Sequence, residues 1–397
     1  MEQLILRHRQ LLANLQISFS RNLINQIHWN ERLTGIKGAR GAGKSTLCLQ
    51  YIKQTYGIDS SCLYVSMDDV SFPYSDLLQL AQTFSMTGGK HLFIDEIHKY
   101  PNWVSELKNI YDLYPQLRIV FTGSSVLQLD HSKADLSRRA VMYNLHGLSF
   151  REFLEIETGK NFKTYTLQEI LDGHENIVYQ IVTEIKPLQF FSKYLRYGYY
   201  PYYLQNIETY PIKLSQLINQ VIETDLPQLA RIEFEHINKL KRFLFLLSQY
   251  VPFKPNVTKL GEIMQLSRQT ITNYIHLLAK AGLISMYYSE QHKISSISKP
   301  EKLFLQHPNF YYALGGEKTN IGNIRETFFV NQLSVKNTVE TSEIGDFKID
   351  QTYLFEIGGK DKGFKQIANI ENSFLAIDDT EFGIGNKIPL WLFGFLY

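Results

Sequence analysis

Short apolar runs alternate with amphipathic stretches along the first half of the chain. The runs suit buried strands, and the stretches between them repeat apolar positions at the spacing of a helix. Strands that alternate with helices form a parallel sheet covered by helices on both faces. The pattern predicts an α/β fold with strands over 32–37, 62–66, 91–95, 118–122 and 141–145, and with helices between them, for example over 44–56 and 76–83.

The pattern changes after Ser149. It is mostly helical to about residue 235, then reads helix, turn, helix, strand over 257–288, and ends in a mixed segment with a helix over 325–333. Short strands are predicted over 345–350, 353–357 and 389–393. The predicted domains are an α/β domain, a helical segment, a helix-turn-helix domain and a small α+β domain, over 1–155, 156–235, 236–308 and 309–397.

Composition narrows the class of protein. Of the 397 residues 20% are charged, and the formal net charge is +2, so any surface for a polyanion is local. The two cysteines, Cys48 and Cys62, exclude a disulfide framework and a cysteine-rich zinc site. No apolar run is long enough for a membrane span, and the first ten residues are charged where a signal peptide is apolar. We therefore expect a soluble cytoplasmic protein.

Residues 38–45, Gly-Ala-Arg-Gly-Ala-Gly-Lys-Ser, match the pattern G-x-x-x-x-G-K-[ST] in full. Glycines let such a loop turn its N–H groups onto phosphate oxygens, the lysine reaches the β- and γ-phosphates, and the hydroxyl binds Mg²⁺. A strand is predicted before the loop and a helix after it, as this chemistry requires. The predicted ligands of ATP are Gly38, Ala39, Arg40, Gly41, Ala42, Gly43, Lys44, Ser45 and Thr46.

Two carboxylates, Asp95 and Glu96, end the predicted strand 91–95. An aspartate at this edge, with Ser45, can hold Mg²⁺, and a neighbouring glutamate can orient or deprotonate the attacking water. The alternative is that Asp95 and Glu96 are an ordinary pair of acidic residues at the start of a helix.

Thr122 and Ser124, at the tip of the next predicted strand, are candidates to sense the γ-phosphate or position the water, and a simple turn is the alternative. Arg138 and Arg139 are candidates to supply a cation to the transition state. The alternative is that they are an exposed basic pair that faces solvent.

Four stretches, GARGAGKST, LFIDEIHKYPNW, FTGSS and LSFREFLE, together resemble the AAA+ superfamily of P-loop ATPases. More narrowly, they resemble the prokaryotic AAA+ proteins that carry a C-terminal DUF4143 region. The resemblance spans roughly the first 155 residues. It implies a nucleotide-switched ATPase with Lys44, Ser45, Asp95 and Glu96 at its core site. Relatives often form rings, and oligomerisation is left open here.

The segment 259–288 is typical of a winged helix-turn-helix. Ile271, Ile275 and Leu278 form one apolar stripe, and Ser267 is placed to cap the second helix. The opposite face then carries polar side chains that suit the major groove of double-stranded DNA. These are Arg268, Gln269, Thr272, Asn273 and His276. The alternative is that the winged helix-turn-helix serves as a protein–protein or packing module and does not contact DNA.

Three acids, Glu326, Asp346 and Glu356, fall on one predicted helix and two successive short strands near the C-terminus. Converging carboxylates can bind Mg²⁺ and activate water. The arrangement resembles the PD-(D/E)xK nuclease core seen at the end of DUF4143 proteins. That pattern places a lysine two residues after the last acid, but the position is Gly358 and the next lysine is Lys360. A fold retained without nuclease chemistry is therefore the favoured interpretation.

Three hypotheses follow from these patterns. The first is an Mg²⁺-dependent ATPase whose nucleotide state controls a DNA- or protein-binding C-terminal half. The second is a non-catalytic nucleotide-dependent regulator or scaffold. The third is a metal-dependent nuclease.

Overall fold

A five-stranded parallel sheet forms the centre of the first part of the chain. The computed structural model describes residues 1–69, 72, 76–123, 136, 138–227, 234–249, 256–289, 300–316 and 319–397. Within these ranges the chain folds as two compact units, Met1–Gly147 and Leu148–Tyr397. The finer division into four domains stays a prediction.

The first unit alternates helices and strands as the sequence predicts. Its helices are α1 (Glu2–Asn14), α2 (Lys44–Thr55), α3 (Leu77–Met86) and α4 (Trp103–Leu113). Its strands are β1 (Leu33–Lys37), β2 (Cys62–Ser66), β3 (His91–Asp95), β4 (Arg118–Gly123) and β5 (Val141–Asn144). All five predicted strands are confirmed to within a residue or two, and α1 is a helix that the prediction omitted.

The strand order β2–β3–β4–β1–β5 places β4 between the strand of the phosphate loop and the strand of the acid pair. Every pair in this sheet is parallel. Parallel strands bring their carboxyl ends to one edge, so residues that follow β1, β3 and β4 meet there.

Alternating strand residues pack on opposite faces of this sheet. Leu92 and Ile94 of β3 join an apolar cluster with α3 and α4, whereas Phe93 joins a second cluster with α2. This two-residue period explains why short, continuously apolar runs form the strands, because both faces are buried.

The second unit begins with helices. They are α5 (Phe150–Thr158), α6 (Leu167–Glu184), α7 (Pro187–Tyr197) and α8 (Tyr210–Gln220), followed by α9 (Phe234–Gln249), α10 (Val257–Met264) and α11 (Arg268–Lys280). Capping boxes at Ser149 with Glu152 and at Thr166 with Glu169 fix the starts of α5 and α6.

An antiparallel pair, β6 (Ile284–Tyr287) and β7 (Lys302–Leu305), follows α11. The remaining elements are α12 (Pro308–Gly315), α13 (Ile321–Leu333), β8 (Val339–Thr341), β9 (Phe347–Ile349), β10 (Tyr353–Gly358), β11 (Ser373–Ile377) and β12 (Lys387–Pro389). The last five strands form a second sheet, ordered β12–β11–β10–β9–β8.

The prediction of a strand over 389–393 is wrong. Residues Leu390–Phe395 form a 3₁₀ helix that is fully buried. A short apolar run has no period that separates a buried strand from a buried helical turn.

Within the described ranges, no helix has the length and apolarity that crossing a membrane requires.

Candidate functional site

The loop between β1 and α2 provides a compact anion-binding turn. Gly41 and Gly43 adopt left-handed φ angles of 81° and 97°, which side chains other than glycine rarely tolerate. A Cβ at Gly38 would lie 2.3 Å from the main-chain oxygen of Leu145, so glycine is required there as well. The loop then leads into the N-terminus of α2, where the helix dipole favours negative charge.

Lys44 is the first residue of α2 and its side chain is buried. Its ammonium donates hydrogen bonds to the main-chain oxygens of Gly38 at 3.1 Å and Ala39 at 3.2 Å. Burial lowers the pKa of Lys44, and the nearby Glu96 and Asp95 oppose that shift. The ammonium is therefore held over the loop that the motif assigns to phosphate.

The other predicted loop ligands differ in exposure. Ala42 is buried at 0% exposure, and Arg40 is half-buried. Thr46 is exposed on the first turn of α2.

Ser45 and Asp95 meet across the sheet edge. Ser45 Oγ donates to Asp95 Oδ2 at 2.7 Å, and Tyr64 Oη of β2 donates to the same oxygen at 2.8 Å. Burial and the Asp95 charge raise the pKa of Tyr64, so its hydroxyl stays a donor. A hydroxyl oxygen and a carboxylate side by side are oxygen ligands of the kind that Mg²⁺ prefers. The residues therefore fit the predicted magnesium site.

Thr122, 1% exposed on β4, connects the two acids. Its hydroxyl donates to Asp95 Oδ1 and accepts a hydrogen bond from the main-chain N–H of Glu96 at 3.1 Å. Glu96 has a left-handed φ of 52°, an uncommon conformation for a glutamate. Thr122 thus holds the turn in which Glu96 sits, and its predicted role in sensing the γ-phosphate or positioning the water stays a prediction.

The Glu96 carboxylate lies between two nitrogen groups. Its Oε1 is 3.9 Å from Lys44 Nζ, and its Oε2 is 3.5 Å from His98 Nε2. Burial lowers the pKa of His98, with Glu96 opposing, so the imidazole favours its neutral form. Sequence reasoning missed His98, although its position two residues after Glu96 was a usable signal.

Arg21 is a second residue near the phosphate loop that the sequence did not predict. This buried guanidinium donates to the main-chain oxygens of Ala42 at 2.8 Å, His146 at 2.8 Å and Gly147 at 2.9 Å. It therefore anchors the phosphate loop to the segment after β5. No sequence pattern marks a lone arginine as the partner of residues more than a hundred positions away.

The predicted transition-state cations lie elsewhere. Arg139 pairs with Asp112 of α4 at 3.2 Å, and Arg138 is exposed. In the described part of the chain neither guanidinium bonds to the phosphate loop or to the acid pair. Their assignment as cations stays a prediction, and Ser124 lies outside the described residues.

Helix α11 separates a buried stripe from an exposed polar face. Ile271, Tyr274, Ile275 and Leu278 are buried, and Ser267 caps the helix by accepting from Thr270 N–H at 3.1 Å. Arg268, Gln269 and Asn273 are exposed, whereas Thr272 and His276 are half-buried. The three predicted DNA contacts on the exposed face are thus available to a partner.

The three C-terminal acids lie close enough to interact with one another, and lysines contact all three. Lys302 Nζ lies 2.9 Å from Glu326 Oε2 and 3.2 Å from Asp346 Oδ1, and Lys362 pairs with Glu356. Across the described residues, no group of three or more His, Cys, Asp or Glu side chains could hold a metal ion. The predicted second magnesium site at Glu326, Asp346 and Glu356 stays a prediction, and in the structure these acids contact two lysines that sequence reasoning did not connect to them.

This sheet order, loop and acid pair define a parallel α/β domain with a P-loop motif. Residues 30–154 match a family profile described as an AAA domain. Residues 188–320 match a domain of unknown function, DUF8612. DUF8612 is a different domain from DUF4143, so the resemblance to DUF4143 proteins is not shown. Among curated proteins no match was found.

Solved structures give distant similarities. The Walker-type ATPase PABY2304 of Pyrococcus abyssi is 12% identical, with 75% of this chain and 96% of that chain covered and a TM-score of 0.42. AMPPCP-bound DnaA from Aquifex aeolicus is 12% identical, with 68% and 90% covered and a TM-score of 0.26. The Hsp104–ADP complex of S. cerevisiae is 13% identical, with 70% and 39% covered and a TM-score of 0.28.

Proposed function

We propose that this chain is an Mg²⁺-dependent ATPase whose nucleotide state acts on a DNA- or protein-binding C-terminal half. The observation that carries the proposal is the continuous contact from Ser45 through Asp95 and Thr122 to Glu96 beside the phosphate loop. It supports one site that has a phosphate cradle, a metal-binding pair and a candidate base.

The loop and Lys44 bind the triphosphate in this proposal. Lys44 exchanges its two main-chain acceptors for phosphate oxygens, and the N–H groups that open α2 donate to the same anion. Because the ammonium is buried, its attraction to phosphate is screened less than it would be on an open surface.

Ser45 and Asp95 would hold Mg²⁺, which when bound offsets the charge on the transferred phosphoryl group. Thr122 and Tyr64 already donate to Asp95 and fix its orientation. This leaves Glu96 to act on water. Its Oε1 faces Lys44 and hence the phosphate loop, so this oxygen is the one that would accept the proton.

Phosphate release from ATP tests the catalytic part. Lys44→Ala should lose tight ATP binding, and Glu96→Gln should keep binding but turn over at least about 100-fold more slowly, because a positioned base contributes that much. A Glu96→Gln variant with wild-type turnover contradicts the role of Glu96. ATP binding by the wild-type protein without phosphate release would favour the nucleotide-dependent regulator.

The proposal for the C-terminal half rests on α9, α10 and α11 followed by the β6–β7 pair, an element order that is typical of a winged helix. The exposed Arg268, Gln269 and Asn273 stand at the N-terminal end of α11, the end that enters a groove in helix-turn-helix proteins. Binding to a partner protein through the same face is the alternative.

Fluorescence anisotropy with double-stranded DNA separates the two possibilities. Arg268→Ala should weaken DNA binding and reduce its salt dependence, because one phosphate contact is lost. Lys280→Ala, at the other end of α11, is the matched control and should bind as the wild type does. Equal affinities for Arg268→Ala and Lys280→Ala would contradict DNA contact through α11. Oligomeric assembly and a cytoplasmic location stay predictions.

A further inference from the structure

Three carboxylates, on α13, directly before β9 and on β10, already have positively charged partners within the chain. Lys302, the first residue of β7, is 6% exposed, and its ammonium contacts Glu326 Oε2 at 2.9 Å and Asp346 Oδ1 at 3.2 Å. The ammonium also lies 4.4 Å from the centre of the Phe347 ring, which favours a cation. A single buried positive charge therefore lies between the two acids.

Two more carboxylate oxygens have partners, whereas the buried Glu356 Oε2 makes no hydrogen bond among the described residues. Asp346 Oδ2 accepts from the main-chain N–H of Ile357 at 2.9 Å, and Glu356 pairs with Lys362. A divalent ion at this position would have to displace an ammonium group from Glu326 and Asp346. The residues present therefore do not fit the magnesium ion that a nuclease of this fold requires.

Gly358 occupies the position at which the nuclease pattern has its lysine. A Cβ at this position would lie 2.6 Å from Cβ and Cγ of Lys362, so the Lys362 chain fills the space in which a side chain at position 358 would begin. The lysine of the pattern and the observed Lys362 cannot both occupy it. The site thus departs from the nuclease arrangement in two places. Lys302 lies between Glu326 and Asp346, where the arrangement has a metal ion, and Lys362 fills the space beside Gly358, where it has a lysine side chain.

The β6–β7 pair fixes Lys302 in place. Thr341 N–H of β8 donates to the main-chain oxygen of Tyr288 at 3.0 Å, directly after β6. Thr341 Oγ1 donates to Glu301 Oε2 at 2.7 Å, next to Lys302. Lys302 belongs to β7, whereas Glu326 belongs to α13 and Asp346 lies directly before β9, so these contacts join the strand pair to the second sheet.

We infer that Lys302 is the resident cation of this cluster, which serves as a metal-independent joint between the β6–β7 pair and the C-terminal sheet. The two carboxylates and the Phe347 ring around Lys302 favour the charged ammonium. A cation that belongs to the chain disfavours the nuclease hypothesis.

The test uses Mn²⁺ without nucleotide, in proteins that all carry Asp95→Asn so that the N-terminal site contributes no metal binding. Lys302→Met should lower the Tm of the second unit by about 10 °C, because it leaves buried carboxylates unpaired. Millimolar Mn²⁺ should restore part of that loss, and electron paramagnetic resonance should detect Mn²⁺ bound to this variant. Lys302→Arg keeps the charge and should bind no Mn²⁺.

A second variant makes the result decisive even if Lys302→Met folds poorly. Adding Glu326→Gln to Lys302→Met removes one unpaired charge, so it should recover part of the lost Tm without metal and abolish the Mn²⁺ effect. Failure of the double variant to recover any Tm would contradict the pairing of charges.

Two results in the parent protein would overturn the inference. One is a rise in Tm with Mn²⁺ that Glu326→Gln removes, and the other is plasmid cleavage with Mn²⁺ that Asp346→Ala removes. Because every protein in the series lacks a functional Asp95, these outcomes are independent of whether the chain hydrolyses ATP.

Discussion

Two buried threonines allow a controlled test of the hydroxyl that holds the acid pair. Thr122 and Thr34 lie on the adjacent strands β4 and β1, at 1% and 0% exposure. The Thr122 hydroxyl bonds to both Asp95 and Glu96, whereas Thr34 Oγ1 makes no hydrogen bond among the described residues. Valine at either position removes the same oxygen, but only Thr122→Val breaks hydrogen bonds.

The expected cost follows from the groups that are left without a partner. Thr122→Val deprives Asp95 Oδ1 of a donor and the main-chain N–H of Glu96 of its acceptor. A buried polar group that loses its partner costs about 1–3 kcal/mol, so with two such groups the free energy of unfolding should fall by about 2–6 kcal/mol. Thr34→Val removes a hydroxyl that has no partner, so it should leave the free energy of unfolding unchanged or raise it.

Urea unfolding and ATP turnover measure the two consequences. The loss of stability should appear in the transition of the first unit, because the chain has two units and is not expected to unfold in one step. Turnover of Thr122→Val should fall at least about tenfold, since a small displacement of Glu96 raises the barrier by more than about 1.4 kcal/mol. Equal stability and equal turnover for the two valine variants would refute the role assigned to Thr122.

Arg21→Met releases the Ala42 carbonyl, so it should weaken binding of a non-hydrolysable ATP analogue about tenfold, a loss of about 1.4 kcal/mol. Arg9→Met, on the exposed face of α1, is the control and should bind the analogue as the wild type does. Calorimetric titration compares them, and equal affinities would exclude this anchoring. His307, 0% exposed and stacked 4.0 Å from Tyr199, has a pKa held well below 6.5 by burial. Its unfolded form binds the proton more readily, so stability is full above pH 6.5 and should fall by up to about 1.4 kcal/mol for each pH unit below it. His307→Phe should flatten this dependence in urea unfolding at pH 5.5 and 7.5, and an unchanged slope would contradict it.

The first unit was predictable because its signals are local. Strands β1 to β4 are short runs buried on both faces, the phosphate loop directly follows β1, and the acid pair lies at the end of β3. The rule that parallel strands end at one edge then brings Ser45 to Asp95 without any knowledge of tertiary contacts.

The contacts that the sequence could not predict join distant segments. Tyr64 reaches Asp95 from β2, and Lys302 reaches Glu326 and Asp346 from β7. Their side chains carry no periodic or motif signal, so their partners follow only from tertiary packing. In the second unit, the sequence predicted that Glu326, Asp346 and Glu356 converge, but it gave no sign that Lys302 lies between two of them.

Calorimetric titration of a non-hydrolysable ATP analogue with Mg²⁺ tests the central claim most directly. The phosphate loop should give one site per chain, and Lys44→Ala should reduce the affinity at least about tenfold, because it removes a buried charge-assisted contact to phosphate. Lys108→Ala, an exposed lysine of α4, should bind as the wild type does. No binding by the wild-type protein, or equal binding by Lys44→Ala and Lys108→Ala, would contradict a nucleotide site at residues 38–45.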